Sequence, residues 1–406
     1  MIDDGTGAGA LGPRRPMRID CSFYGTVPMH DAGNAGPLPH DRRYSTPDVV
    51  ACYANLLHWA GTAERLGYDT MWFTEHHFQH EGYEVIPNQI LLGLYLAART
   101  ERMRFGQMFN VVPQWHPLRL AEDFAMADLL SGGRMVFGVG RGTVPRESQT
   151  LGAVVASGDN AMSAEADRVN RELFEEAMEV IELAWERERF SYAGRHFTLP
   201  PPGIPDRGAT VEHLTLVPRP ARRVEVFQAV SSPATLEYVA RKGYVGVFAA
   251  QPIDRLVRSW ERFGDAAAEA GRDLGRGGGR ALVLNVHVGA THEEAVETGR
   301  RGHDEYCRFL APYGRFRGYA PPAGCAELPF DYQPSLEESM RQRVWAVGSV
   351  DEVAETVQLY SERLGLEHLC CFFDLPGLSR AELDRQLETF MVEVVPRLGA
   401  EMSVGA

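Results

Sequence analysis

The chain has no apolar run long enough to cross a bilayer. The longest, "QILLGLYLAA" at 89–98, is about half of the ~20 residues that a span requires, so no membrane role is expected. No secretory leader is visible, because "MIDDGTGAGALGPRRP" (1–16) contains no apolar stretch and reads as a flexible leader. Basic charge is scarce: 41 Lys and Arg against 55 Asp and Glu leave a net charge of −14. Nucleic-acid binding needs a basic face to neutralise phosphates, so no nucleic-acid partner is expected. Cysteine is sparse too. The six (Cys21, Cys52, Cys307, Cys325, Cys370 and Cys371) include no CxxC pair, and neighbours such as Cys370 and Cys371 face opposite ways on a strand. Reduced thiols in the cytoplasm, with no metal site, are the expectation.

What is present is an ordinary core composition, 44% apolar and 24% charged. Strand-like segments at 17–27, 68–74, 103–112, 134–140, 224–230, 245–250, 281–289 and 369–373 alternate with helix-like ones. The helical stretches are 48–66, 87–99, 117–130, 166–188, 233–242, 252–270, 292–310 and 379–394. Alternating units with near-continuous apolar strands predict a parallel sheet covered on both faces. Eight of them in 406 residues predict an α/β chain folded as a (β/α)8 TIM barrel, a single domain over 17–400. The excess length falls in insertions, above all 311–342, "APYGRFRGYAPPAGCAELPFDYQPSLEESMRQ". A long Gly/Pro/aromatic connection of this kind is a candidate lid.

In such a barrel the residues just past each strand converge on one mouth, where chemistry resides. In "GYDTMWFTEHHF" (67–78) an apolar strand runs straight into Glu75, His76 and His77. Adjacent side chains diverge, so at most one of the two histidines is expected to face the mouth, the other turning into packing. The third strand ends near Asn110, with His116 further on, and the fourth ends in "GVGRG" (138–142), which places Arg141 between glycines. That motif lacks the GxGxxG spacing of a dinucleotide fingerprint. The fifth ends in "SSPAT" (231–235), where Ser231 or Ser232 caps a helix opened by Pro233. Hydroxyls and amides at a helix start beside an arginine could hold a phosphate; the serine could equally be only a cap.

In order and spacing, "GYDTMWFTEHHF", "HPLRLAEDFAMADLLSGGRMVFGVGRG" (116–142), "SSPATLEYVARKG" (231–243) and "VGSVDEVAETV" (347–357) resemble the luciferase-like flavin monooxygenases over roughly 17–400. The resemblance implies a barrel holding FMN, taken up as FMNH2 from a separate flavin reductase. It implies O2 as co-substrate, a C4a-peroxyflavin, oxygenation of a small and apolar organic substrate, and a homodimer. It assigns proton transfer to His76, the FMN phosphate to Arg141, Arg171, Ser231, Ser232 and Thr235, and the ring face to Met108 and Phe109, where the family often has a cis peptide. Gly140 stands where bacterial luciferase has a cysteine beside the flavin, and this argues against light emission. An F420-dependent oxidoreductase and a non-catalytic flavin-binding protein are the alternatives on the same barrel.

Overall fold

A computed structural model describes residues 17–154, 161–322 and 324–398; the leader expected over 1–16 lies outside the described residues. Eight parallel strands close on themselves: β1 (Arg18–Phe23), β2 (Thr70–Phe73), β3 (Arg104–Gln107), β4 (Met135–Gly140), β5 (Val226–Ala229), β6 (Val245–Ala249), β7 (Arg280–Gly289) and β8 (His368–Phe372). Seven neighbour pairings run in the order β5-β6-β7-β8-β1-β2-β3-β4, and the β4–β5 pairing completes the ring. All eight sequence-predicted strands are barrel strands. The one expected over 103–112 is broken, with Met108 and Phe109 separating β3 from a two-residue strand, Asn110–Val111.

The helices cover the outside: α1 (Thr46–Leu66), α2 (Gln89–Ala97), α3 (Pro117–Leu130), α4 (Ala161–Glu186), α5 (Pro233–Lys242), α6 (Ile253–Glu269), α7 (His292–Leu310), α8 (Val350–Leu364) and α9 (Arg380–Thr389). Local chemistry sets their ends. Ser45 and Asp48 form a reciprocal capping box at the start of α1, and Gly67 ends it at φ +87°, a conformation glycine adopts without steric cost. Beyond the barrel, β7 continues and pairs with a further strand, Trp345–Ser349, which leads into α8.

The barrel is a packed core and not a channel. Tyr24, Trp72, Met108, Val136, Phe227, Val247, Ala281, Cys370 and Phe372 fill its interior. Trp72 donates its Nε1–H to Asp20 Oδ2 at 2.6 Å, which satisfies the one polar atom of a buried indole. Opposite it stands Gly106, where any Cβ would run into the indole ring. Towards the mouth the lining of β4, β5 and β6 thins to Gly140, Ala229 and Ala249, the last exposed. The other side, at β8 and β1, is closed by Tyr24 stacked on Phe372 at 4.2 Å and bonded to Tyr306 through a 2.7 Å hydroxyl contact. The sequence thus leaves one half of the mouth open and fills the other with aromatic rings.

Candidate active site

The expected residues follow neighbouring strand ends, β2 to β5, except Arg171 on α4. Past β2, the chain places His76 with both ring nitrogens on carboxylates. Nδ1 lies 3.1 Å from Glu147 Oε1, and Nε2 lies 3.2 Å from Glu84 Oε2. Burial disfavours the charged imidazolium, but Glu84 and Glu147 outweigh it and raise the His76 pKa above its ordinary value. For Glu147 burial is likewise overcome, here by the His76 contact, and its pKa falls. Glu84 goes the other way, because burial, with Glu147 nearby, exceeds the help from His76. The three groups therefore hold their protons jointly. His77 turns aside, as expected, with Nε2 at 3.3 Å from Glu75. Glu75 is buried and also accepts from Trp115 Nε1 at 3.1 Å and Gln89 Nε2 at 3.3 Å.

Past β3, the Met108–Phe109 peptide is cis. Its surroundings require small neighbours. A Cβ on Gly138 would collide with the Gln107 carbonyl, and one on Gly140 would stand 3.1 Å from Phe109 Cβ. A cysteine in place of Gly140 would need Phe109 to give way by a few tenths of an ångström. Asn110 donates to the Gly138 carbonyl at 2.9 Å, while its buried Oδ1 has no partner among the described residues.

Past β4, Arg141 Nη1 donates to Asp167 Oδ1 at 2.8 Å, and Arg171, on α4, donates from Nη2 to Asp167 Oδ2 at 3.0 Å. Two guanidiniums from different elements thus converge on one anion. For Asp167, burial would raise its pKa, but the contacts from Arg141 and Arg171 hold it below the usual carboxylate value. Past β5, Ser232 is the cap of α5, accepting from Thr235 N at 3.2 Å and sharing a 3.0 Å contact with the Thr235 hydroxyl. Ser231 beside it is exposed. The register Val139↔Gln228 sets the ends of β4 and β5 side by side, so the serines follow the strand adjacent to the one carrying Arg141.

Three participants were not visible in the sequence. Glu84 and Glu147 flank His76 from outside its strand, and Asp167 bridges the arginines. Glu147 sits on a short helix, Pro145–Thr150, whose six residues are too few for a helical period to show in the sequence. A fourth is Arg315, from the long connection 311–342, which donates to Thr143 Oγ1 at 2.9 Å. Its charge acts on His76, Glu84, Tyr24 and Tyr306.

A closed parallel barrel with a histidine between carboxylates and paired arginines at its C-terminal mouth defines a TIM-barrel enzyme. The chain belongs to the luciferase-like monooxygenase family, whose profile matches residues 36–368. It is 27% identical over 315 residues to 3,6-diketocamphane 1,6-monooxygenase of Pseudomonas putida, spanning 75% of this chain and 81% of that protein. The FMN-bound oxygenating constituent of the P. putida 3,6-diketocamphane monooxygenase superposes with a TM-score of 0.73 at 24% identity, covering 94% of this chain and 98% of the other. An F420-dependent glucose-6-phosphate dehydrogenase of Amycolatopsis mediterranei is also similar, 25% identical over 355 residues, 85% of this chain and 95% of that one. The protein is thus an oxidoreductase of a family that includes flavin monooxygenases and F420-dependent dehydrogenases. Among the described residues no helix is long and apolar enough to cross a membrane, and no group of His, Cys, Asp and Glu is arranged to hold a metal ion.

Proposed function

We propose that this chain is the oxygenating component of a two-component FMN-dependent monooxygenase, taking FMNH2 from a separate flavin reductase and using O2 to oxygenate a small, apolar organic substrate. The observation that carries this reading is the convergence of Arg141, from the end of β4, and Arg171 on one anion position. Paired guanidiniums match the oxygens of a phosphate. In this arrangement Arg141 and Arg171 bind the phosphate, with Ser231, Ser232 and Thr235 on the neighbouring strand end. The Met108–Phe109 backbone faces the ring. Bound FMNH2 supplies the electrons that activate O2. The chain's own part is to exclude water, orient the substrate and manage protons. His76 holds one on Nε2, where Glu84 makes a charge contact, while Glu147 fixes Nδ1.

One relative supports both the cofactor and the partner: the diketocamphane protein is an oxygenating constituent and was solved with FMN. The F420-dependent relative supports a second reading, hydride transfer without O2. Mixing the protein with FMNH2, then with air, separates the readings. We expect FMN to bind, F420 not to bind, and reoxidation of FMNH2 to be slower than for the free flavin. Binding of F420 in preference to FMN would establish the second reading, and FMN reoxidised at the free rate would leave a flavin carrier.

A homodimer is proposed as well. It is supported by Leu91, Tyr95, Met126, Leu129 and Leu130, exposed on the packed pair α2 and α3; sedimentation velocity on dilution is the check. All six cysteines are free thiols, which supports the cytoplasm as the compartment.

A further inference from the structure

Asp167 occupies an unusual position for a surface carboxylate. An aspartate four residues before an arginine on a helix, as Asp167 is before Arg171, is an ordinary stabilising pair. Arg141 is not on that helix. It comes from the end of β4, and its bond to Asp167, 2.8 Å, is the shorter of the two. Asn170 reinforces the junction, donating from Nδ2 to the Arg141 carbonyl at 3.1 Å and to that of Val154 at 2.7 Å. Its Oδ1 also accepts from Arg141 Nη1 at 3.4 Å. One carboxylate oxygen per guanidinium is the way a phosphate would be gripped, and here the chain supplies the anion itself.

We propose that Asp167 is a built-in competitor for the flavin phosphate, a residue that sets the affinity and release rate of phosphorylated flavins. The proposal rests on the reading of Arg141 and Arg171 as the phosphate ligands. When the site is empty, Asp167 keeps both arginines paired and pre-placed. When a phosphate arrives, the carboxylate must give up its bonds or share them at close range with a dianion. Either way the phosphate binds more weakly than to the two arginines alone. A protein that receives its flavin from another enzyme on each turnover and returns it oxidised needs such a limit, because slow release would cap the rate. The Asp167 side chain is 41% exposed, so it has solvent to turn into. Glu175, half-buried on the same helix face, also acts on both arginines through its charge, so a negative charge stays near them when Asp167 is neutralised.

The test is Asp167→Asn, which keeps the shape and removes the charge, with Asp167→Ser as a second variant. FMN and riboflavin are titrated by flavin fluorescence, with inorganic phosphate as a competing probe. The Kd for FMN should fall by on the order of tenfold, the scale of a nearby like charge in a partly solvated site. FMN dissociation should slow, the Ki of inorganic phosphate against FMN should fall by a similar factor, and riboflavin affinity should stay unchanged. Unchanged or weaker FMN binding in both variants, with thermal stability as in the wild type, would overturn the proposal and make Asp167 a positioning residue for the arginines. Failure of the underlying reading looks different. If the wild type binds FMN and riboflavin equally, and Arg141→Ala weakens both alike, no phosphate site exists there and the proposal falls with it.

Discussion

Both nitrogens of His76 meet carboxylates, so its proton is held more firmly than in a solvated imidazole. Its pKa is raised above the ordinary 6.5, against burial, by Glu84 and Glu147. The stability that these contacts contribute is therefore present in full below pH 6.5 and is lost as the pH rises through the folded value. The same proton governs activity if His76 acts as an acid. Turnover should then fall on the alkaline side, through the raised pKa. Glu147→Gln removes one supporting charge and should move that fall to lower pH. His76→Ala should reduce turnover by about 10²–10⁴-fold, the usual worth of a positioned acid or base. FMN affinity should persist, because the phosphate donors lie on other strands. The pH–rate profiles of the three proteins, with FMN titrations alongside, decide the matter. An alkaline limb that ignores Glu147→Gln, or a His76→Ala protein that has simply lost FMN, would make this histidine architecture.

Between strands and helices, a fully buried carboxylate sits at Glu305 on α7. Its Oε1 accepts from Arg42 Nε at 2.7 Å and from the Tyr83 hydroxyl, and its Oε2 accepts from Gly33 N at 2.7 Å and Arg308 Nη2 at 3.2 Å. One buried carboxylate thus ties the irregular segment after β1, and the loop after β2, to the helix that follows β7. Removing it leaves buried Arg42 with Asp31 alone, to which Nη1 donates at 2.6 Å, and takes the acceptor from Tyr83 and Gly33, so Glu305→Ala should cost roughly 2–4 kcal/mol of stability, measured by urea unfolding. A loss below about 1 kcal/mol would mean that water replaces the carboxylate. This clamp also shows where sequence reading stops. Strands such as β2 and β4 announce themselves as short apolar runs, and the strand ends that carry His76 and Arg141 follow from the barrel they form. Ser232, Pro233 and Gly243 mark both ends of α5 within the motif itself. Trp345–Ser349 did not declare itself, since a five-residue run following a Pro/Gly-rich stretch has too few periods to separate it from loop. Glu84, Glu147, Asp167 and Glu305 were beyond reach for another reason. Contacts such as His76–Glu147, 71 residues apart, leave no local pattern.

Across the whole molecule, one chain segment links the periphery to the mouth. The connection 311–342 is anchored by buried Phe316, Tyr319 and Leu336, with the Tyr319 hydroxyl 2.9 Å from Ser339 Oγ. From this anchored base Arg315 reaches back to Thr143, two residues past Arg141. We read the segment as the lid of the site and Arg315 as its latch. The latch is exposed, and a single hydrogen bond of this kind is worth about 0.5–1.5 kcal/mol, enough to bias closure and weak enough to release. Trypsin reports the balance, because exposed Arg317 lies between the buried rings of Phe316 and Tyr319, and cleavage there requires the segment to lift. Where opening is fast compared with cutting, the rate tracks the open population. Arg315→Gln should therefore speed cleavage at Arg317 by about 2–10-fold in the free protein, the equivalent of that one bond. FMN should slow cleavage in the wild type, as a closing lid is stabilised by what it covers. A cut at Arg317 that is indifferent to both FMN and Arg315→Gln would show that the segment is a fixed wall, and that flavin and substrate reach the barrel mouth by another side.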